Sequence, residues 1–351
     1  MATNRLARCL EERREPGAAE LCDLLQAMLG GGPEVSHEGT QLERLQKGVY
    51  RLRIGGSGRT LVVKRHTPAA AEVDRLVAER WLPALGLGEC CPRLLGAAAE
   101  RDGRWVWHAY EDLGAATLAD RHERRCWEAV VDLVAELHSR GTHHRLLPEV
   151  RWHGRDHRAH SLIANLRDSI ALLDALRDPA PPRFATACRR LLERLHKLLE
   201  EAPAWVRMMD EVGGADTLLH GDLWPKNAFV AKARDGGRAR VRLVDWDHVG
   251  VGSFSYDVST FLYHSQPEDR PWLWRRYRSA VERDGVRLPA DRDVNRLFHA
   301  AETARGITCI IWPAMALLHD GAEWGRTGLV EIEDWFAALR PPLPDAARGA
   351  A

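Results

Sequence analysis

Residues 218–230 read LLHGDLWPKNAFV. Apolar pairs close both ends, and His220, Asp222, Lys226 and Asn227 lie between them. The stretch reads as strand–loop–strand, and a polar loop whose Asp and Asn satisfy turn hydrogen bonds would account for it locally. Its surroundings decide otherwise. Downstream, NAFVAKA and RVRLVDWD continue as short strands around loops, through residue 247. Upstream, LERLQKGVYRLRI (42–54), TLVVKRH (60–66) and RWVWHAYEDLG (104–114) read as strands, with GGSGR (55–59) as a turn. A helix is expected over 69–85, with Pro83 near its end. Other helical patterns occupy 5–29, 116–140, 159–177, 183–201, 270–283, 291–320 and 329–339. A β-rich front half and a helical back half predict an α+β, two-lobe fold with a cleft between the lobes.

The totals set the frame. A chain of 351 residues has room for about two lobes. Fifty basic residues balance fifty acidic ones, so no net field attracts nucleic acid or an anionic membrane. Seven cysteines without a C-x-x-C spacing read as reduced thiols rather than zinc ligands or disulfides. The N-terminus lacks a signal-peptide core, and ITCIIWPAMALL (307–318) is too short to span a bilayer. These features predict a cytoplasmic protein that binds neither nucleic acid nor membrane, as a monomer or homodimer.

The loop residues have a chemistry in common. A carboxylate within reach of a hydroxyl can accept its proton as the oxygen attacks an electrophile. An amide oxygen five residues later suits a hard cation such as Mg2+. His220, Asp222 and Asn227 meet the H-x-D-x-x-x-x-N spacing of phosphoryl-transfer loops. In VRLVDWDHVGVG (241–252) an apolar strand delivers Asp245 and Asp247 to one side of an extended chain. Two carboxylates that close call for a cation. Asp245 reads as a metal ligand; Asp247 as a second ligand, a substrate contact or a solvated side chain. Lys64, inside an apolar strand, fits a phosphate-pairing lysine, with Glu79 as its expected helix partner and Glu72 as the fallback. GGSG at 55–58 reads as a hairpin turn rather than a phosphate cradle. By chain order the phosphate-covering loop is LQKG, with Gly48.

Lys64, HGDLWPKN, VDWD and SYDVS (255–259), in that order, resemble the aminoglycoside phosphotransferase and choline kinase superfamily over roughly residues 40–340. The resemblance implies a protein-kinase-like fold with an N-terminal extension (1–39), an N-lobe ending in a hinge (40–114) and a C-lobe (115–345). It implies transfer of the γ-phosphoryl of ATP, with GTP as the alternative nucleotide, to a hydroxyl of a small molecule. Carried over, Asp222 is the catalytic base, Asn227 and Asp245 hold Mg2+, and Lys64 meets phosphate. The hinge whose backbone binds adenine matches Tyr110, Glu111 and Asp112, and Asp257 would brace the catalytic loop. Lys226 and SYDVS depart from the family's usual residues. Trp224 is similar to the fructosamine kinase branch, whereas VDWD resembles the aminoglycoside and choline branches.

The acceptor falls to the C-terminal helices. Thirteen acidic against twelve basic residues from 264 to 351 argue against a polycationic aminoglycoside. Trp272, Trp274, Trp312, Trp324 and Trp335 could stack on a sugar or cage a quaternary ammonium, but at helical spacing read first as core, and His143, His144, His153 and His157 read as surface. The competing function is a kinase-like regulatory protein that binds nucleotide without turnover. H-G-D and D-W-D in place of H-R-D and D-F-G disfavour a protein kinase.

Overall fold

The computed structural model describes residues 15–29, 41–55, 58–176, 181–231 and 239–344. They form two compact units. The first runs to Arg121 and takes in Asn227–Asp247; the second comprises His122–Lys226 and the chain from His248 onward.

The first unit is built on a five-stranded antiparallel sheet in the order β1-β2-β3-β5-β4. The strands are β1 (Gln41–Gln46), β2 (Val49–Arg53), β3 (Thr60–His66), β4 (Leu94–Ala99) and β5 (Val106–Glu111). Period-2 alternation sorts β3 and β5 into two faces. Leu61, Val63, Trp107 and Ala109 point to an apolar core with Tyr50, Leu52 and helix α1 (Ala18–Leu29). α1 is the described part of the expected N-terminal extension. It packs on β4, where a Cβ at Gly96 would come within 2.9 Å of Leu24. Val62, Lys64, His66, His108 and Tyr110 occupy the opposite face. Helix α2 (Pro68–Leu76) starts at Thr67, whose hydroxyl accepts the Ala70 N–H, with Pro68 in the first turn. It continues into a π-turn over Val77–Trp81 just ahead of Pro83. The hairpin β8 (Ala228–Ala231) and β9 (Arg240–Leu243) completes the unit.

The second unit is helical. It contains α3 (Arg124–Gly141), α4 (Leu147–His153), α5 (Ala159–Ala175), α6 (Pro182–Val212), α7 (Ser255–Tyr263), α8 (Arg270–Arg283), α9 (Asp291–Asp320) and α10 (Trp324–Ala338). A small sheet of β6 (Arg155–Asp156), β10 (Gly250–Ser253) and β7 (Asp216–Leu219) leads into the 220–227 loop. α5, α6, α9 and α10 bury Leu166, Leu173, Leu191, Leu195, Ile307, Ile310, Leu329 and Phe336 together.

The fold agrees with the α+β expectation and departs from it at identifiable places. α6 carries Pro203 and runs to Val212, eleven residues past its expected end. β4, α4 and α7 were not expected. GGSG lies between antiparallel β2 and β3 as a hairpin connection, with residues 56–57 outside the described ones. Six described cysteines are free thiols, and Cys9 lies outside the described residues. Among the described residues no helix is long and apolar enough to cross a membrane.

Candidate active site

In the first unit, Lys64 Nζ donates to Asp245 Oδ1 at 2.7 Å and to both oxygens of Asp247 at 3.0 Å. Burial alone would lower the lysine's pKa, but the two carboxylates more than offset this and hold it above its ordinary value. Burial, with the charge of Asp245, raises the Asp247 carboxyl despite Lys64. Asp245 has φ +65°, a left-handed backbone that costs a non-glycine residue free energy and recurs at functional sites. Hairpin register places the metal-ligand candidates together. Ala228 pairs with Leu243, and the Val244 N–H donates to the Asn227 carbonyl at 2.9 Å. Asn227 and Asp245 therefore flank the same end of the hairpin, and their oxygens are the hard donors that Mg2+ takes.

The expected Lys64–Glu79 pairing is not made. Glu79 is exposed and pairs with Arg75 at 3.8 Å. The buried stripe of this helical segment is Ala71, Val77 and Trp81, and Asp74 shares it. Glu72 and Glu79, one heptad apart, share a different face. Gly48 sits in the β1–β2 turn with φ +72°, and its carbonyl accepts the Arg65 N–H. In the expected hinge segment, Tyr110 turns its hydroxyl to Asp74 (2.5 Å), Glu111 accepts the Arg93 N–H, and Asp112 pairs with Arg51 at 3.0 Å. These side chains are committed to the protein.

In the second unit the loop around Asp222 is held from behind. Asp257 accepts the N–H of His220 at 2.7 Å and of Gly221 at 2.8 Å, and lies 3.2 Å from His138 Nε2. Burial would raise its pKa, but the hydrogen bond and charge of His138, the charge of His220 and the Gly221 N–H more than offset this, keeping the carboxylate ionised. His138 Nδ1 lies 2.8 Å from the Tyr277 hydroxyl. Asp257 thus takes the bracing position expected of it. Gly221 has φ +83°, and a Cβ there would fall 1.8 Å from the His248 carbonyl. His157, expected at the surface, instead lies 2.8 Å from that carbonyl through Nε2, with its ring tilted against Tyr256 at 4.2 Å between centroids. The Asp222 N–H donates to His220 Nδ1 at 3.3 Å.

Trp224 follows two residues later, with its ring stacked on His264 at 4.1 Å and the Arg305 guanidinium 5.5 Å from its centroid. Its Nε1 is buried with no hydrogen-bond partner among the described residues. Arg305 donates to the fully buried Glu302, which also accepts from Thr260. The charge of Asp222 reaches His264 and Cys309. Glu302 and Arg305 had no distinguishing sequence signal, because a charge inside a long helix resembles a solvated one, and His264, just past the end of α7, had none either. Lys226 is exposed. Of the tryptophans, Trp274 is core, stacked with Phe254 and Tyr277, whereas Trp312 and Trp324 are more than half exposed.

The profile of the phosphotransferase enzyme family matches residues 41–292. No curated protein matches the sequence. Several solved structures share the fold. An aminoglycoside phosphotransferase from Streptomyces rimosus, in complex with ADP and streptomycin, is 17% identical with a TM-score of 0.54 and covers 82% of this chain and 98% of its own. Choline kinase LicA from Streptococcus pneumoniae is 12% identical, TM-score 0.56, covering 85% and 92%. APH(2")-IIia, bound to GDP and kanamycin, is 14% identical, TM-score 0.58, covering 91% and 98%. The chain therefore has the kinase-like α+β fold, with a β-sheet N-lobe and a helical C-lobe.

Proposed function

This chain belongs to the phosphotransferase enzyme family, and we propose that it transfers the γ-phosphoryl group of ATP, in a Mg2+-dependent reaction, to a hydroxyl of a small molecule. The observation that carries the reading is the Lys64–Asp245 contact at 2.7 Å, made by an aspartate in left-handed conformation at the hairpin end that also bears Asn227. Asp222 accepts the acceptor's proton, and Asp257 fixes the loop that presents it. Lys64 orients phosphate oxygens, and Asn227 and Asp245 supply the oxygen donors for Mg2+. When bound, the ion neutralises phosphate charge. Gly48 in the β1–β2 turn covers the phosphates, and the backbone of 110–112 receives the base.

ADP and GDP in the related structures support a purine nucleotide, with GTP as competitor to ATP. The acceptor is an amino sugar, an aminoglycoside-like antibiotic, an amino alcohol or a related metabolite. Asp222→Asn tests the assignment. General-base help is worth about 10²–10⁴ in rate, so ADP release should fall by about that factor while nucleotide affinity is retained. Wild-type-like release in this variant ends the assignment.

A further inference from the structure

The polar face of the first unit's sheet carries a second cluster, of side chains to which the proposed phosphoryl transfer assigns no role. His66, on β3, and His108 and Tyr110, both on β5, point to the face crossed by α2, which contributes Asp74. Both imidazoles are buried, at 3% and 2% exposure. The Tyr110 hydroxyl lies 2.5 Å from Asp74 Oδ2, 3.1 Å from His108 Nδ1 and 3.2 Å from His66 Nε2. His108 Nδ1 is itself 2.9 Å from Asp74 Oδ2. One donor atom from each of His66, Asp74 and His108 lies within 4.8 Å of the others.

We propose that His66, Asp74 and His108, with the Tyr110 oxygen at the fourth position, form a binding site for a zinc-class divalent transition metal. Two imidazole nitrogens, a carboxylate oxygen and a phenol oxygen make a borderline donor set of the kind zinc takes, unlike the all-oxygen set that suits Mg2+. Tetrahedral bonds of about 2.0–2.1 Å separate ligand atoms by about 3.3–3.4 Å. Four of the six donor pairs are 2.5–3.2 Å apart and need to part by less than an ångström to admit an ion.

The charge balance points the same way. Asp74, 14% exposed, holds its carboxylate against His108 and Tyr110, while Asp245 and Asp247, each about a third exposed, meet Lys64. Buried negative charge of that kind calls for a cation. Ligation through His66 Nε2 puts that ring's proton on Nδ1, which lies 3.8 Å from Asp247 Oδ1. A carboxylate on the far side of a ligating imidazole is a recurring arrangement in metal sites. Ligation through His108 Nδ1 places its proton on Nε2. The ion ties α2 to β3 and β5 through Asp74, the acid on the sheet-facing stripe. It does so whether or not the chain transfers phosphate.

The test uses the full chain after chelator treatment, titrated with Co2+ and then Zn2+. One equivalent of Co2+ should give the visible bands of a tetrahedral site, Zn2+ should quench them, and Zn2+ should raise Tm by several degrees. Asp74→Asn and His66→Gln, each checked for native circular dichroism, should lose both signals, whereas excess Mg2+ should leave the bands intact. Absence of a saturable one-equivalent site in the wild type overturns the proposal. So does equal Co2+ binding by a folded His66→Gln variant, which would place the ion elsewhere. In either case the four groups form only a hydrogen-bonded network.

Discussion

Asp245 and Asp257 are both aspartates placed beside functional loops, and the protein holds them in opposite ways. Asp257 is fully buried, accepts two backbone N–H groups, lies against His138 and has no partner to exchange. Asp245 is about a third exposed, sits in a strained backbone conformation and faces a lysine and a second carboxylate. Closed hydrogen bonding fixes geometry. An ion-paired, strained carboxylate instead leaves charge that a cation and phosphates can reorganise. On the proposed function the two regions divide scaffold from chemistry, and substitutions at each should fail differently.

Asp257→Ala should have the largest effect on stability. Removing one partner from a buried charged network costs about 3–5 kcal/mol. Urea or thermal unfolding should show that loss, and a change under 1 kcal/mol would contradict the bracing role.

Next comes His66, whose pKa burial, reinforced by the charge of Lys64, lowers to about 4. A folded value below the ordinary value of about 6.5 means the stability it contributes is complete above pH 6.5. That contribution is then lost as pH falls toward 4. With this side chain almost wholly buried, the span corresponds to about 3 kcal/mol. Comparing unfolding free energies of chelator-treated wild type and His66→Gln across that window should show a shallower acid loss in the variant. Parallel curves would refute it.

Asp245→Asn should change unfolding free energy by less than about 1 kcal/mol, because asparagine tolerates the left-handed backbone and relieves repulsion with Asp247. It should nevertheless abolish nucleotide-dependent transfer, read as ADP release. A destabilisation matching that of Asp257→Ala would erase the contrast between the two sites. Glu79→Gln should be the smallest, within about 0.5 kcal/mol and without effect on turnover, since an exposed i,i+4 pair contributes little. A collapse of activity in that variant would restore Glu79 as the lysine's partner.

What the sequence made legible follows from these contrasts. Lys64, Asp222, Asn227 and Asp245 were singled out because order and spacing along a chain survive without tertiary information, and the structure brings Lys64 against Asp245. Asp257 was readable only through resemblance, since helix α7 is buried all round and shows no amphipathic period. β4 was missed because LLGAAA has little intrinsic strand preference; its pairing with β5 and its cover by α1 make it a strand. Glu79 was chosen as the helix glutamate that holds such a lysine in kinase-like lobes, with Glu72 one heptad earlier as the fallback, but the stripe of α2 that meets the sheet carries Asp74. The His66, His108 and Tyr110 face was present in the alternation of KRH and HAY, and reading both strands at period 2 would have found it.

Phosphoryl transfer to a hydroxyl is the proposed activity, and an acceptor-phosphorylation assay decides it. The full chain is incubated with Mg2+ and ATP or GTP against amino sugars, aminoglycosides, choline analogues, macrolides and amino alcohols, and each acceptor is weighed by mass spectrometry. The account predicts a one-phosphate mass gain on at least one acceptor, dependent on Mg2+ and absent with Asp222→Asn. Nucleotide binding with no acceptor phosphorylated across the panel would contradict it and leave a kinase-like nucleotide-binding regulator.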